Sequence, residues 1–253
     1  MAVPTSAFRR NAIFRERHLW VGTYNVSQTC TPAAGVDASI STQPTTTITT
    51  TAGSSVLSRG NNSNSTVTLS GTTIDSTPPA AANAVFSNVI GAGGTGSATL
   101  IVDGGTNTVN VGGSGLDALA ITNANSGLST FTVSAGTTLN ILNSVVGNEH
   151  DGIDVNASGG GAINLTHEGN GQITLLGGNG IWTKASGSGD TNVSVGAGVS
   201  ILVNNDDALS AGPPILDDTL PTAGVGNHAG VHTRAIDGNT TVVNAASVHF
   251  NLL

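Results

Sequence analysis

Short β-type runs separated by small residues recur along this chain from about residue 65 onward, and they constrain its fold more than any other feature. STVTL (Ser65–Leu69), SATLIV (97–102), STFTV (Ser129–Val133), TLNIL (138–142), QITLL (172–176), TNVSV (Thr191–Val195), VSILV (199–203) and NTTVV (239–243) form the set. Most alternate an apolar with a small polar residue, as a strand with one buried face does. No window carries an apolar helical stripe bounded by caps. The spacing predicts an all-β chain with at most one short helix, around residues 5–20.

Two sub-motifs alternate. The first sets a glycine before an aliphatic residue and a short run: SGLDALAIT at Gly115, HDGIDVNAS at Gly152, GNGIWTKAS at Gly180 and HAGVHTRAI at Gly230. The second joins two runs through a small-residue corner with apolar anchors six apart: Val133 to Leu139, Val195 to Ile201 and Val242 to Val248. Gly152 to Gly180 is 28 residues, and a period in the twenties is that of a solenoid. Each coil then supplies strands that cannot bury their inner faces alone. Stacking sets like residues over like, about 4.8 Å apart, and closes a continuous core. A sandwich or barrel of hairpins is the competing reading, with Asp103-Gly104, Asp151-Gly152 and Asp237-Gly238 as its turns. Aromatics are only 3%, which disfavours a sandwich built around Trp and Tyr.

Composition fits the coil reading. Gly, Thr, Ser and Asn make up 119 of the 253 residues, and charged residues are 9%. Glycine suits corners that need positive φ, and Asn amides can bond from coil to coil. Disorder is disfavoured because Val, Leu, Ile and Phe make about 25% of the chain, above the roughly 20% a core requires.

The net charge of −8 hides an asymmetry. Arg9, Arg10, Arg15 and Arg17 are four of the seven basic residues, so residues 18–253 hold three basic against fourteen acidic groups, a net of −11. Nucleic-acid binding needs clustered Lys and Arg, and the sequence excludes nucleic acid as a partner on that ground. The basic stretch 1–22 reads as a tail, disordered or a short helix. The stretch after Arg17, HLWVGTYNVSQTC, is too polar for a secretion signal, and no stretch has the roughly 18–20 apolar residues of a membrane span. Cys30 is the sole cysteine, so no internal disulfide or cysteine-based metal site can form.

Residues 23–58 are Thr-rich and read as a cap or first irregular coils, and 59–253 as the parallel β-helix. Within it, 204–228 holds three prolines and four aspartates. It interrupts the period and reads as an inserted loop, the place where solenoids commonly carry function.

The alternation of GNGIWTKASGSGDTNVSV with GAGVSILV resembles the passenger domains of bacterial autotransporters, over roughly residues 30–253. The resemblance implies a right-handed parallel β-helix exposed at the cell surface, in adhesion or aggregation. It also implies an N-terminal signal and a C-terminal membrane barrel. Neither pattern is present here, so the chain reads as a piece of a longer passenger.

Several constellations suggest chemistry. Gly91-Ala92-Gly93-Gly94-Thr95-Gly96 satisfies G-x-G-x-x-G, but a strand pattern comes next where a dinucleotide site needs a helix. Asp151-Gly152-Ile153-Asp154-Val155 resembles the acidic strand of polygalacturonases. Asp206-Asp207, His228 and Arg234 loosely echo that family's later motifs at the wrong spacings. They define the alternative reading, a pectin hydrolase or lyase using Asp206, Asp207 and His228 with Arg234. His228 and His232 are four apart, a spacing that on a strand shares a face without converging on a metal. Trp182 and Lys184 could touch a ligand, or Trp182 could cover a loop edge. The expected protein is therefore a non-enzymatic surface or secreted module without cofactor or metal. It would present its loops to host or matrix glycans and proteins or to sister cells, and could self-associate end to end through open strand edges.

Overall fold

The computed structural model describes residues 15–20, 22–145, 150–205 and 229–252. Among them are 23 strands and no helix. The strands form three parallel sheets of eight, eight and seven. Sheet A runs from Arg15–Trp20 to Thr240–Asn244, sheet B from Thr23–Tyr24 to Ser247–Leu252, and sheet C from Gln28–Cys30 to Val231–Ala235. Each strand pairs with those three places before and after it in the chain, so the path visits A, B and C in turn and then stacks on itself. This is a parallel β-solenoid. Every strand pairing is parallel, so Asp103-Gly104, Asp151-Gly152 and Asp237-Gly238 are corners between sheets and not hairpin turns.

The in-register residues show why these runs fold this way. Ile40, Val67, Leu100, Phe131, Leu165, Val193 and Val242 form one ladder on the inner face of sheet A. Ile48, Ile74, Val109, Ile141, Ile173, Ile201 and Val248 do so in sheet B. Val56, Val85, Leu119, Ile153, Ile181 and Val231 complete the core from sheet C. Nearly all of these are fully buried. The alternating residues point outward, which is why the sequence alternates with period two. Val242 faces inward yet is 44% exposed, because it sits in the outermost described rung of its ladder.

Several expectations change. Arg15–Trp20, read as tail or helix, is a strand paired in register with Asp37–Thr42. Residues 23–58 contribute ordinary strands to all three sheets. Residues 206–228 lie outside the described residues, as do 1–14.

The first sub-motif holds for Gly152, Gly180 and Gly230, which occupy one position just before their sheet C strands. Gly115 does not belong with them. Leu119 pairs with Ile153, so Ala118 takes the place of Gly152. Nor is positive φ the reason for these three glycines. A Cβ on Gly152 would lie 2.6 Å from Ile173 Cγ2 and 2.7 Å from the Gly180 carbonyl oxygen. Close approach of the corner to sheet B excludes the side chain; positive φ is the reason at corners such as Gly136 (φ +77°). In the second sub-motif Val133 and Val195 share a ladder through His167, but Ile201 stands in register with Ile141 and not with Leu139. The corners differ in length, so equal anchor spacing does not mean equal position.

Candidate binding face

Asn and Asp side chains bond coil to coil at the corner leading from sheet B to sheet C. Asn83 Oδ1 accepts the Asp117 N–H at 3.2 Å, and Asp117 Oδ1 accepts the Asp151 N–H at 2.9 Å. Asp151 Oδ1 accepts from the Asn179 N–H at 2.6 Å and from Asn179 Nδ2 at 3.0 Å. Asn179 Oδ1 then accepts the Ala229 N–H at 3.0 Å. Each side chain thus satisfies a backbone donor one coil further on, in a place where an unpaired N–H would be costly. Asp151, part of the polygalacturonase-like motif, is a buried member of this ladder. Its neighbour Asp117 is pushed well above the usual carboxylate range, first by burial and then by the charges of Asp154 and Asp151.

The corner delivers the chain to the outer face of sheet C, where two ladders stand side by side. The second residues of the strands stack as Leu57, Phe86, Ala120, Asp154, Trp182 and His232. The fourth residues stack as Arg59, Asn88, Thr122, Asn156, Lys184 and Arg234. Arg59, Lys184 and Arg234 are all the basic residues that the sequence holds after Arg17. Residues separated by up to 175 positions therefore share one line, spanning about 24 Å at 4.8 Å per rung. The sequence placed no basic cluster in this body; stacking makes one, with Lys184 and Arg234 on adjacent rungs.

The neighbouring ladder is aromatic and polar. The Trp182 and His232 rings meet edge to face, with centroids 4.1 Å apart and planes at 88°. Asp154 stands one rung below Trp182. Its Oδ1 is shielded from solvent and has no hydrogen-bond partner. Burial, and next the charge of Asp151, raise its pKa to about 8, against an opposing pull from Lys184. The shift favours the protonated carboxyl toward neutral pH. Asn156 Oδ1 is likewise shielded and unpartnered.

Of the residues named for the alternative reading, Arg234 lies on this face beside Lys184. Asp206, Asp207 and His228 lie outside the described residues. The chain leaves sheet B at Asn205 and re-enters sheet C at Val231, next to Trp182 and His232. The glycine-rich stretch 91–96 is a corner running into the strand Ala98–Val102. Cys30 is buried in Gln28–Cys30. Among the described residues no group of three or more His, Cys, Asp or Glu side chains could hold a metal, and no helix is long and apolar enough to cross a membrane.

The chain matches no protein-family model, no curated protein and no solved structure. The face had a signal in the sequence that simple reading passes over. Trp182 and His232 each lie two residues after the repeated glycine, and Lys184 and Arg234 each lie four after it. Counting from that glycine aligns them.

Proposed function

We propose that this protein is a non-enzymatic structural and adhesive module of the cell surface or extracellular space, built like an autotransporter passenger domain. Its work is presentation: a rigid stack holds a recognition face and the chain segment inserted beside it. The observation that carries this reading is that every basic residue after Arg17 stands on the outer face of sheet C, where the chain departs from the repeat. The parallel solenoid architecture supports it, since such stacks are extended scaffolds for contact with other molecules. Host or matrix surfaces and sister cells are the partners proposed.

Deletion of the inserted segment tests it. Leu175 and Ile181 are joined by five residues, and Val203 and Val231 occupy the corresponding rungs. Removing 207–228 leaves five residues there (204, 205, 206, 229 and 230), so the stack can close as in the preceding coil. Adhesion to cells or matrix should fall to background while the β-type circular dichroism is kept. Unchanged adhesion by the folded deletion would count against the proposal.

A second reading, a polysaccharide-cleaving enzyme, is favoured by one feature: the carboxyl of Asp154, one rung from Trp182, has its pKa raised as a general acid requires. Release of new sugar ends from polygalacturonate that is lost on Asp154→Asn or Asp207→Ala would establish it.

A further inference from the structure

Anionic recognition is an unexpected property for a body that carries fourteen acidic groups. Yet Asp154 is the sole acidic side chain among the described outward-facing residues of sheet C, and the three basic residues are concentrated there. We propose that this face binds a linear anionic polysaccharide running along the solenoid axis, with Trp182 as the platform for a sugar ring and Lys184 and Arg234 as the anion-binding pair. The inference rests on the adhesive reading above and names its ligand.

Chemistry selects this occupant. The outer face of a sheet presents side chains and no free backbone edge, so it suits a polymer read through its substituents and not a peptide added as a strand. Trp182 gives a large apolar surface against which the apolar face of a pyranose can pack. Arg234 offers a planar fork matched to carboxylate or sulfate, and Lys184 a point charge one rung away. Arg59 lies four rungs beyond Lys184 on the same line, about 19 Å off, so the cations are sparse. A uronic or sulfated glycan, with its charges spread along sugar units, fits that spacing. Duplex nucleic acid has one charge per ~1.7 Å, and its dense charge would face residues 18–253, a net of −11 with three cations.

The polar residues between fit a hydroxyl-rich ligand. Asn156 and Asp154 each keep an oxygen without a donor, a state costing about 1–3 kcal/mol per group. Sugar hydroxyls that reach these oxygens would supply the missing donors. Burial favours the neutral form of Asp154, which lessens its repulsion of the anion.

Three probes and two variants decide the matter: polygalacturonate, dextran sulfate and uncharged dextran, each titrated against the full chain at low salt. Binding of polygalacturonate, dextran sulfate or both, with dextran unbound, is the expected result, and the arm that binds tells carboxylate from sulfate recognition. Lys184→Gln/Arg234→Gln should weaken binding at least tenfold, and Trp182→Ala by a similar factor. Both sets of side chains point outward, so circular dichroism and the melting midpoint should stay near wild type; if the double variant melts early, Lys184→Gln alone gives the reading. Asn192→Gln, outward on sheet A, should bind as wild type does. Absence of binding by either anionic probe, equal binding of dextran, or wild-type affinity in the folded double variant would overturn the inference. Tighter binding of single-stranded DNA, lost with the same two residues, would overturn it in favour of a phosphate polymer. Should the anionic probes fail while adhesion persists and depends on 207–228, this inference falls and the adhesive reading stands. Cleavage of bound polygalacturonate would instead overturn the non-enzymatic reading and leave the ligand class intact.

Discussion

Gly180→Ala should destabilise the protein by about 3 kcal/mol, the upper part of the usual range for overpacking a tight core. A Cβ at Gly180 would stand 2.6 Å from the Gly230 carbonyl oxygen and closer still to Ile201 Cγ2. That carbonyl accepts the Ile181 N–H at 3.0 Å, so it cannot retreat without loosening the bond between two coils. Ile201 is held in the sheet B ladder between Ile173 and Val248. The comparison is Gly136→Ala, where φ is +77° and nothing lies within 4 Å of the added atom. Only backbone strain acts there, about 1–2 kcal/mol. Denaturant unfolding of the two variants checks the order. Equal loss in both would mean that the corner does not press on sheet B as described.

The second large effect is on the pH dependence of stability. Asp154 has a folded pKa of about 8 against 3.8 for the free side chain. Between those values the folded state holds a proton that the unfolded state has released, so stability falls as pH rises from about 4 to 8. Asp117, also raised, acts in the same direction. His167 acts oppositely. It is fully buried between Val133 and Val195, and neither ring nitrogen has a hydrogen-bond partner. Burial lowers its pKa from 6.5 to about 4, so the stability tied to its neutral form is complete above 6.5 and is lost as pH falls toward 4. The two effects oppose each other between about pH 4 and 6.5. From about 6.5 to 8 the carboxyl groups act without His167, and stability should decline by up to ~1.4 kcal/mol per pH unit for each proton released. Asp154→Asn should flatten that decline. His167→Leu should remove the acid-side loss and raise stability at pH 7 by about 1–3 kcal/mol, since it deletes unpartnered polar atoms from the core. Unfolding midpoints from pH 4 to 8.5 give all three slopes. An unchanged slope in Asp154→Asn would show that this carboxyl does not hold its proton.

Much of the fold was legible because the core depends on a period of two along each strand and on small residues at corners. Ile163–His167 and Thr191–Val195 both place their odd residues inward, and both show that alternation in the sequence. Arg15–Trp20 does not look like a strand, since its charged residues mask an element whose pairing with Asp37–Thr42 comes from the neighbouring coil. The candidate face was legible only in part. Successive glycine-equivalent positions 118, 152, 180 and 230 are spaced by 34, 28 and 50 residues. A fixed period therefore does not align the coils, and Arg59, Lys184 and Arg234 look scattered until the registers are known. The same irregularity makes Gly115 look like a repeat member in place of Ala118. Asp154 could be seen as acidic in the sequence, but its proton could not, because that depends on burial and on Asp151 in the adjoining corner.

If one face of the stack does the recognising, changes confined to that face abolish adhesion. Adhesion of Trp182→Ala/Lys184→Gln/Arg234→Gln to matrix-coated surfaces, beside an equal set of outward changes on sheet A at Thr99, Thr130 and Asn192, tests it most directly. Loss of adhesion in the first set alone, with both proteins folded, is the predicted result. Wild-type adhesion by the first set, or equal loss in both, would contradict it.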